Sequence, residues 1–79
     1  MKIETTLPGQ AMRLLRTREG ASLAQVARLI GVAPITVARW ENGTSIPGAG
    51  DLASYLVEIG ASAVEQAEVM GLFGSKNVK

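Results

Sequence analysis

Polar side chains that can bind a nucleic acid recur near the middle of this 79-residue chain. Thr36, Arg39 and Asn42 are three residues apart, a spacing that places them on one side of a helix. A guanidinium group can donate two hydrogen bonds to guanine O6 and N7, and hydroxyl and amide groups can contact bases or phosphates. Thr36 and Arg39 are therefore the best polar candidates for contacting base edges.

Two apolar residues precede these polar ones. Pro34 and Ile35 have side chains that cannot donate a hydrogen bond. Two interpretations are open: Ile35 contacts a thymine methyl group, as apolar side chains do in the major groove, or this face binds a protein. We favour the first, and count Pro34 and Ile35 with Thr36 and Arg39 as candidate base contacts.

Contacts to phosphates are expected from the elements around this segment. The N-terminus of a helix presents free N–H groups and the positive end of its dipole. Hydroxyl and amide side chains that follow the segment can also donate to phosphates. The candidates are Ser22, Leu23, Ala24, Asn42, Thr44 and Ser45. Ser22 and Asn42 are equally explained as helix caps.

The residues that the chain lacks argue against an enzyme. With neither His nor Cys, it has no imidazole base, thiolate nucleophile or usual zinc site. No carboxylate pair or phosphate-binding loop stands out. We therefore expect no metal, cofactor or small-molecule ligand. The sequence also contains no membrane span and no signal peptide, so the expected location is the cytoplasm.

The charges are distributed unevenly along the chain. The formal net charge is only +1, but residues through Ile46 carry a net +3 and those from Pro47 onward a net −2. This asymmetry indicates that one side of the domain meets an anion. The net charge of +1 is not the strongly basic balance of a non-specific nucleic-acid binder.

Two short helices with a tight turn must position the candidate residues. Ser22 and Gln25 form a capping-box pattern that opens helix 2. Gly31 ends that helix, Pro34 suits the first position of helix 3, and Gly43 ends helix 3. This is the helix-turn-helix pattern.

Further helices are predicted on either side of this pair. They run from about Gln10 to Glu19, from about Ala49 to Ile59, and from about Ala63 to Met70, the last opened by a capping box of Ser62 and Glu65. Five helices and no alternating strand pattern predict a compact all-α domain. The expected organisation is an N-terminal arm at 1–8, a domain at 9–71 and a flexible tail at 72–79.

The stretches "MRLLRTREGAS", "LAQVARLIGV" and "TVARWENG", followed by Pro47, Leu52 and "LVEIG", resemble the Xre/Cro-like helix-turn-helix family of phage and bacterial regulators. The resemblance covers most of the chain. It implies a five-helix, phage-repressor-like DNA-binding domain with helix 3 in the major groove. It also implies an ion pair between Arg16 and Glu41. Trp40, three residues from Val37, is expected in the core.

The large apolar fraction, 47% of residues, suggests self-association. The candidates for a two-fold interface are Tyr55, Val64, Met70, Leu72 and Phe73. A homodimer would hold two recognition helices about 34 Å apart and bind a palindromic site. The favoured function is a dimeric repressor of the phage or mobile-element type, which binds double-stranded DNA sequence-specifically. The alternative is a protein-interaction module, such as an antitoxin or antiactivator that captures another regulatory protein.

Overall fold

Five α-helices account for most of residues 7–74, the part of the chain that the computed structural model describes. This part contains no β-strand, which confirms the predicted all-α class. The helices are α1 (Pro8–Arg18), α2 (Leu23–Ile30), α3 (Pro34–Glu41), α4 (Ala49–Glu58) and α5 (Ala63–Gly74).

Both predicted capping boxes are present. The Ser22 hydroxyl accepts a hydrogen bond from the Gln25 N–H at 3.0 Å, and the Gln25 side chain accepts from the Ser22 N–H at 2.8 Å. Ser62 and Glu65 make the same reciprocal pair at the start of α5, at 3.1 and 2.9 Å. These bonds satisfy N–H groups that have no partner within their own helix.

Two predicted helix boundaries are wrong. α1 begins at Pro8 instead of Gln10, because proline fits the first helical turn. α5 continues to Gly74 instead of ending at Met70. A mid-helix glycine costs only about 1 kcal/mol, and the side chains of Leu72 and Phe73 pack against the core beyond it.

The predicted tail therefore begins inside α5. Its residues 72–74 belong to that helix. The remainder of the tail, residues 75–79, and residues 1–6 of the predicted arm lie outside the described residues.

One hydrophobic core unites the five helices. Trp40 is only 4% exposed and lies in the core, as its spacing from Val37 predicts. The other buried members of this core are Ala11, Met12, Leu15, Val26, Ala27, Val37, Leu52, Tyr55, Leu56, Ile59, Ala61 and Val69. Since Ala27 is fully buried on α2, its small side chain allows α2 and α3 to pack closely.

A buried polar cluster of Arg16, Glu41 and Tyr55 joins α1, α3 and α4. The Arg16 guanidinium donates to both Glu41 oxygens, at 2.6 and 2.9 Å, in the ion pair that the family resemblance implies. It also donates to the Ala21 carbonyl at 2.8 Å. The Tyr55 hydroxyl lies 2.7 Å from Glu41 Oε2 and 2.9 Å from the Met12 carbonyl oxygen, so its single proton is shared between two acceptors.

Burial and bonding determine the charge states in this cluster. The hydrogen bond to Glu41 raises the pKa of the Arg16 guanidinium above its usual value. Burial, followed by the bond to Glu41, raises the pKa of the Tyr55 phenol. Arg16 therefore stays charged and Tyr55 stays protonated. Every polar atom of a buried side chain in residues 7–74 has a hydrogen-bond partner.

A second ion pair holds α5 against α1 at the surface. The Arg18 guanidinium donates to the two Glu65 oxygens at 2.5 and 3.1 Å. This contact and the Ser62 N–H lower the pKa of the Glu65 carboxyl to about 2. Glu65 thus caps its own helix and docks it onto α1 with one carboxylate.

Candidate nucleic-acid interface

The turn between α2 and α3 determines which face of α3 points outward. Gly31 has a positive φ of 80°, a conformation that suits glycine because it has no Cβ. Beyond the turn, Val37, Trp40 and Glu41 of α3 are buried. The opposite side of the helix is therefore left at the surface.

Arg39 and Asn42 lie exposed on this outward side, and Thr36 is half-buried. Within residues 7–74, the Arg39 side chain has no ion pair and no hydrogen bond. Its guanidinium is therefore available for a bidentate contact with an external acceptor, whether a base edge or a phosphate.

The apolar candidate base contacts, Pro34 and Ile35, are also accessible. Pro34 is exposed at the start of α3, and 56% of the surface of Ile35 is exposed. Ala33 before the helix is exposed, and Ala38 is half-buried. The structure thus brings all four candidate base contacts to one accessible surface, with its apolar part at the N-terminal end.

The N-terminus of α2 supplies three of the candidate phosphate contacts. Ser22 is the N-cap, and its hydroxyl oxygen accepts from Gln25 while its proton remains free to be donated. Leu23 is half-buried and Ala24 is exposed. Because the first N–H groups of a helix have no acceptor within it, those of Leu23 and Ala24 are available to an anion.

The loop after α3 is more occupied than the sequence indicates. The Asn42 side-chain oxygen accepts from the Thr44 N–H at 3.0 Å and from the Thr44 hydroxyl at 2.6 Å. The Arg39 carbonyl accepts from the N–H groups of Thr44 and Ser45 at 2.9 and 3.2 Å. Only the Asn42 NH₂ group and the Ser45 side chain remain as donors here, with Thr44 usable only if its hydroxyl turns away from Asn42.

Tyr55 is wrong as a candidate for the dimer interface. Its side chain is fully buried in the core, and its hydroxyl hydrogen-bonds to Glu41 beneath α3. Leu72 and Phe73 are half-buried against the core and leave only part of their surface accessible. Val64, 68% exposed, and Met70, 37% exposed, are the accessible candidates.

Several exposed apolar side chains were not candidates from the sequence. Those more than 40% exposed on the described residues, beside Ile35 and Val64, are Leu7, Leu14, Leu29, Ile46 and Val57. For Leu14, Leu29 and Val57, periodicity in a short helix does not separate exposed from partly buried positions, and Leu7 and Ile46 lie outside the helices. Leu7 and Ile46 line a surface cavity of about 500 Å³ between the start of α1 and the end of α3.

Residues 7–74 contain no group of three acidic, His or Cys side chains that could hold a metal ion. No helix in this range is both long enough and apolar enough to cross a membrane.

Comparison with known proteins identifies the domain. A family model described as a helix-turn-helix domain matches residues 9–69, which include α2, α3 and the Arg16–Glu41 pair. Searches of curated proteins and of solved structures found no match. Since the family match covers most of the chain, the protein belongs to the helix-turn-helix domain family of Xre-like regulators.

Proposed function

We propose that this helix-turn-helix protein is a sequence-specific transcriptional repressor that binds double-stranded DNA as a dimer. Membership of the family indicates a DNA-binding regulator. The observation that carries base reading is the Arg39 guanidinium on the outward face of α3, which has no partner among residues 7–74. That face is held in place by the buried pair of Arg16 and Glu41.

In the proposed complex α3 lies in the major groove. Arg39 donates to guanine O6 and N7, and Thr36 offers a hydroxyl and a methyl group to a neighbouring base. The α2 N-terminus, with Ser22, Leu23 and Ala24, contacts phosphates through N–H groups and the helix dipole. In the loop after α3, the Asn42 NH₂ group and the Ser45 hydroxyl contact phosphates, and the Thr44 hydroxyl joins them when it turns away from Asn42.

A two-fold dimer through α5 completes the proposal. Val64 and Met70 are exposed large apolar residues of that helix, and burying them in a second copy would remove their surface from water. Two copies related in this way would place their recognition helices about one DNA turn apart and require a palindromic operator.

The second candidate function is a protein-interaction module. It is favoured by the exposed apolar side chains of Ile35, Leu29 and Ile46, which are 56%, 62% and 67% exposed. In that case α3 would bind another regulatory protein, as an antitoxin or antiactivator does. Selection from random DNA would then enrich no sequence.

Substituting Arg39 tests base reading by α3. Against a duplex enriched from a random library, Arg39→Ala should weaken binding by about 10- to 100-fold, because a bidentate contact contributes about 1–3 kcal/mol of discrimination. Arg39→Lys keeps the positive charge but loses the planar fork. Compared with Arg39→Ala, it should therefore regain affinity for scrambled DNA but not the preference for the enriched duplex.

The measurement is fluorescence anisotropy on both duplexes, with Arg18→Ala as the control because Arg18 is engaged by Glu65. Equal loss of affinity for enriched and scrambled DNA in Arg39→Ala would assign Arg39 to phosphate contact only. Full specificity in Arg39→Lys would contradict bidentate reading.

A further inference from the structure

We infer that Ile35 recognises the C5-methyl group of a pyrimidine in the major groove, so that the protein binds thymine and 5-methylcytosine at that position in preference to uracil and cytosine. The inference rests on the proposed function, since it requires α3 to lie against base edges. Beyond that function, it specifies which bases are bound at one position of the operator and predicts that binding depends on cytosine methylation there.

Apolar side chains adjoin Ile35 on the outward side of α3. They are Ala33 and Pro34, both exposed like Ile35, and the half-buried Ala38; the neighbouring Thr36 is polar and half-buried. Proline has no N–H, and the Thr36 N–H is bonded to the Ala33 carbonyl at 2.9 Å. The side chains of Ala33, Pro34, Ile35 and Ala38 have no hydrogen-bond donor or acceptor, so apolar contact is what they can offer to base edges.

Among the four standard bases, only thymine presents an apolar group in the major groove, its C5-methyl. 5-Methylcytosine carries the same methyl group at the same ring position and differs at its neighbour, where an N4 amine replaces the O4 oxygen. Ile35 has no side-chain donor or acceptor to sense that difference. A contact that reads only the methyl group thus treats the two methylated pyrimidines alike.

The position of Ile35 relative to Arg39 locates the pyrimidine. The two residues are four apart on α3, on one face and about 6 Å apart along its axis. Base pairs are stacked about 3.4 Å apart. The methylated pyrimidine should therefore lie within about two base-pair steps of the guanine contacted by Arg39.

The test uses four versions of one enriched duplex. Each thymine near the guanine is replaced in turn by uracil, by cytosine and by 5-methylcytosine, with the complementary base adjusted. Thymine and uracil differ only by the methyl group, as do 5-methylcytosine and cytosine, so each pair isolates the methyl contribution from changes in base pairing.

At one position the wild-type protein should bind thymine over uracil, and 5-methylcytosine over cytosine, by about fourfold each, the effect of burying one methyl-sized group. Ile35→Ala should abolish both preferences. Leu29→Ala, a matched control that removes an equally exposed apolar side chain from α2, should keep them. Circular dichroism verifies that both variants fold.

The outcomes separate this inference from the proposed function. If no sequence is enriched, the proposed function fails and takes the inference with it. If a sequence is enriched and depends on Arg39, but no position distinguishes methylated from unmethylated pyrimidines, the inference alone is overturned. Methyl preferences that survive Ile35→Ala would also overturn it, as would unchanged affinity of Ile35→Ala for the enriched duplex, which would show that Ile35 does not contact a base.

Discussion

Replacing Glu41 with alanine should lower the free energy of unfolding by about 3–5 kcal/mol. The Glu41 carboxylate accepts three hydrogen bonds, two from Arg16 and one from Tyr55. Its removal would leave the guanidinium of Arg16, a residue only 8% exposed, without its counter-charge. Because domains of this size are stable by only about 5–15 kcal/mol, the variant should lose a large part of its stability.

Urea unfolding followed by circular dichroism measures this effect. Glu68→Ala is the matched control, since Glu68 is an exposed helical carboxylate without an ion pair in the described part of the chain. The double variant Arg16→Met with Glu41→Leu should recover part of the loss, because it removes both charges together. A Glu41→Ala midpoint equal to that of Glu68→Ala would show that the buried pair does not hold α3 in place.

The second large effect is expected at Gly9, where α1 meets the end of α3. A Cβ atom at Gly9 would lie 2.5 Å from the carbonyl oxygen of Trp40 and also collide with the carbonyl group of Glu41. Backbone atoms cannot rotate out of the way as a side chain can, so α1 and α3 would have to separate. Gly9→Ala should therefore destabilise the domain by about 3 kcal/mol, the upper part of the range for overpacking.

Gly50→Ala provides a closely matched control. Gly50 is the second residue of α4, as Gly9 is of α1, and a Cβ there meets nothing within 4 Å. That substitution should be neutral or stabilising by up to about 1 kcal/mol. Thermal unfolding of the two variants compares them directly, and equal melting temperatures would disprove the close approach at Gly9.

The sequence predicts the parts of this fold that depend on local chemistry. The capping boxes at Ser22 and Ser62 are formed by residues three apart, so their bonds do not depend on the rest of the fold. Gly31 adopts the left-handed conformation that a tight turn requires. The outward placement of Arg39 follows from the burial of Val37 and Trp40 on the other side of α3.

The prediction of where α5 ends is wrong because tertiary packing, and not local sequence, determines that boundary. Burial of Leu72 and Phe73 carries α5 past Gly71, which local propensity alone would make the end of the helix. Tyr55 is different, because a signal was present: with Leu52 and Leu56 it completes an i, i+3, i+4 stripe. That spacing places it in the core.

Two further features depend on how parts of the chain pack against one another. The close approach at Gly9 is determined by the distance between α1 and α3, which no local pattern encodes. The hydrogen bond from the Thr44 hydroxyl to the Asn42 side-chain oxygen depends on the path of the loop. For that reason the sequence overestimates the number of free side-chain donors after α3.

Reading of a DNA sequence by the outward face of α3 is tested most directly by competition. The wild-type protein, bound to a labelled duplex enriched from a random library, is titrated at moderate salt with the same duplex unlabelled and with a scrambled duplex of equal composition. We predict that the enriched duplex competes about a thousandfold or more better, the lower end of the range for specific binders. Equal competition by the two duplexes would contradict sequence-specific DNA binding.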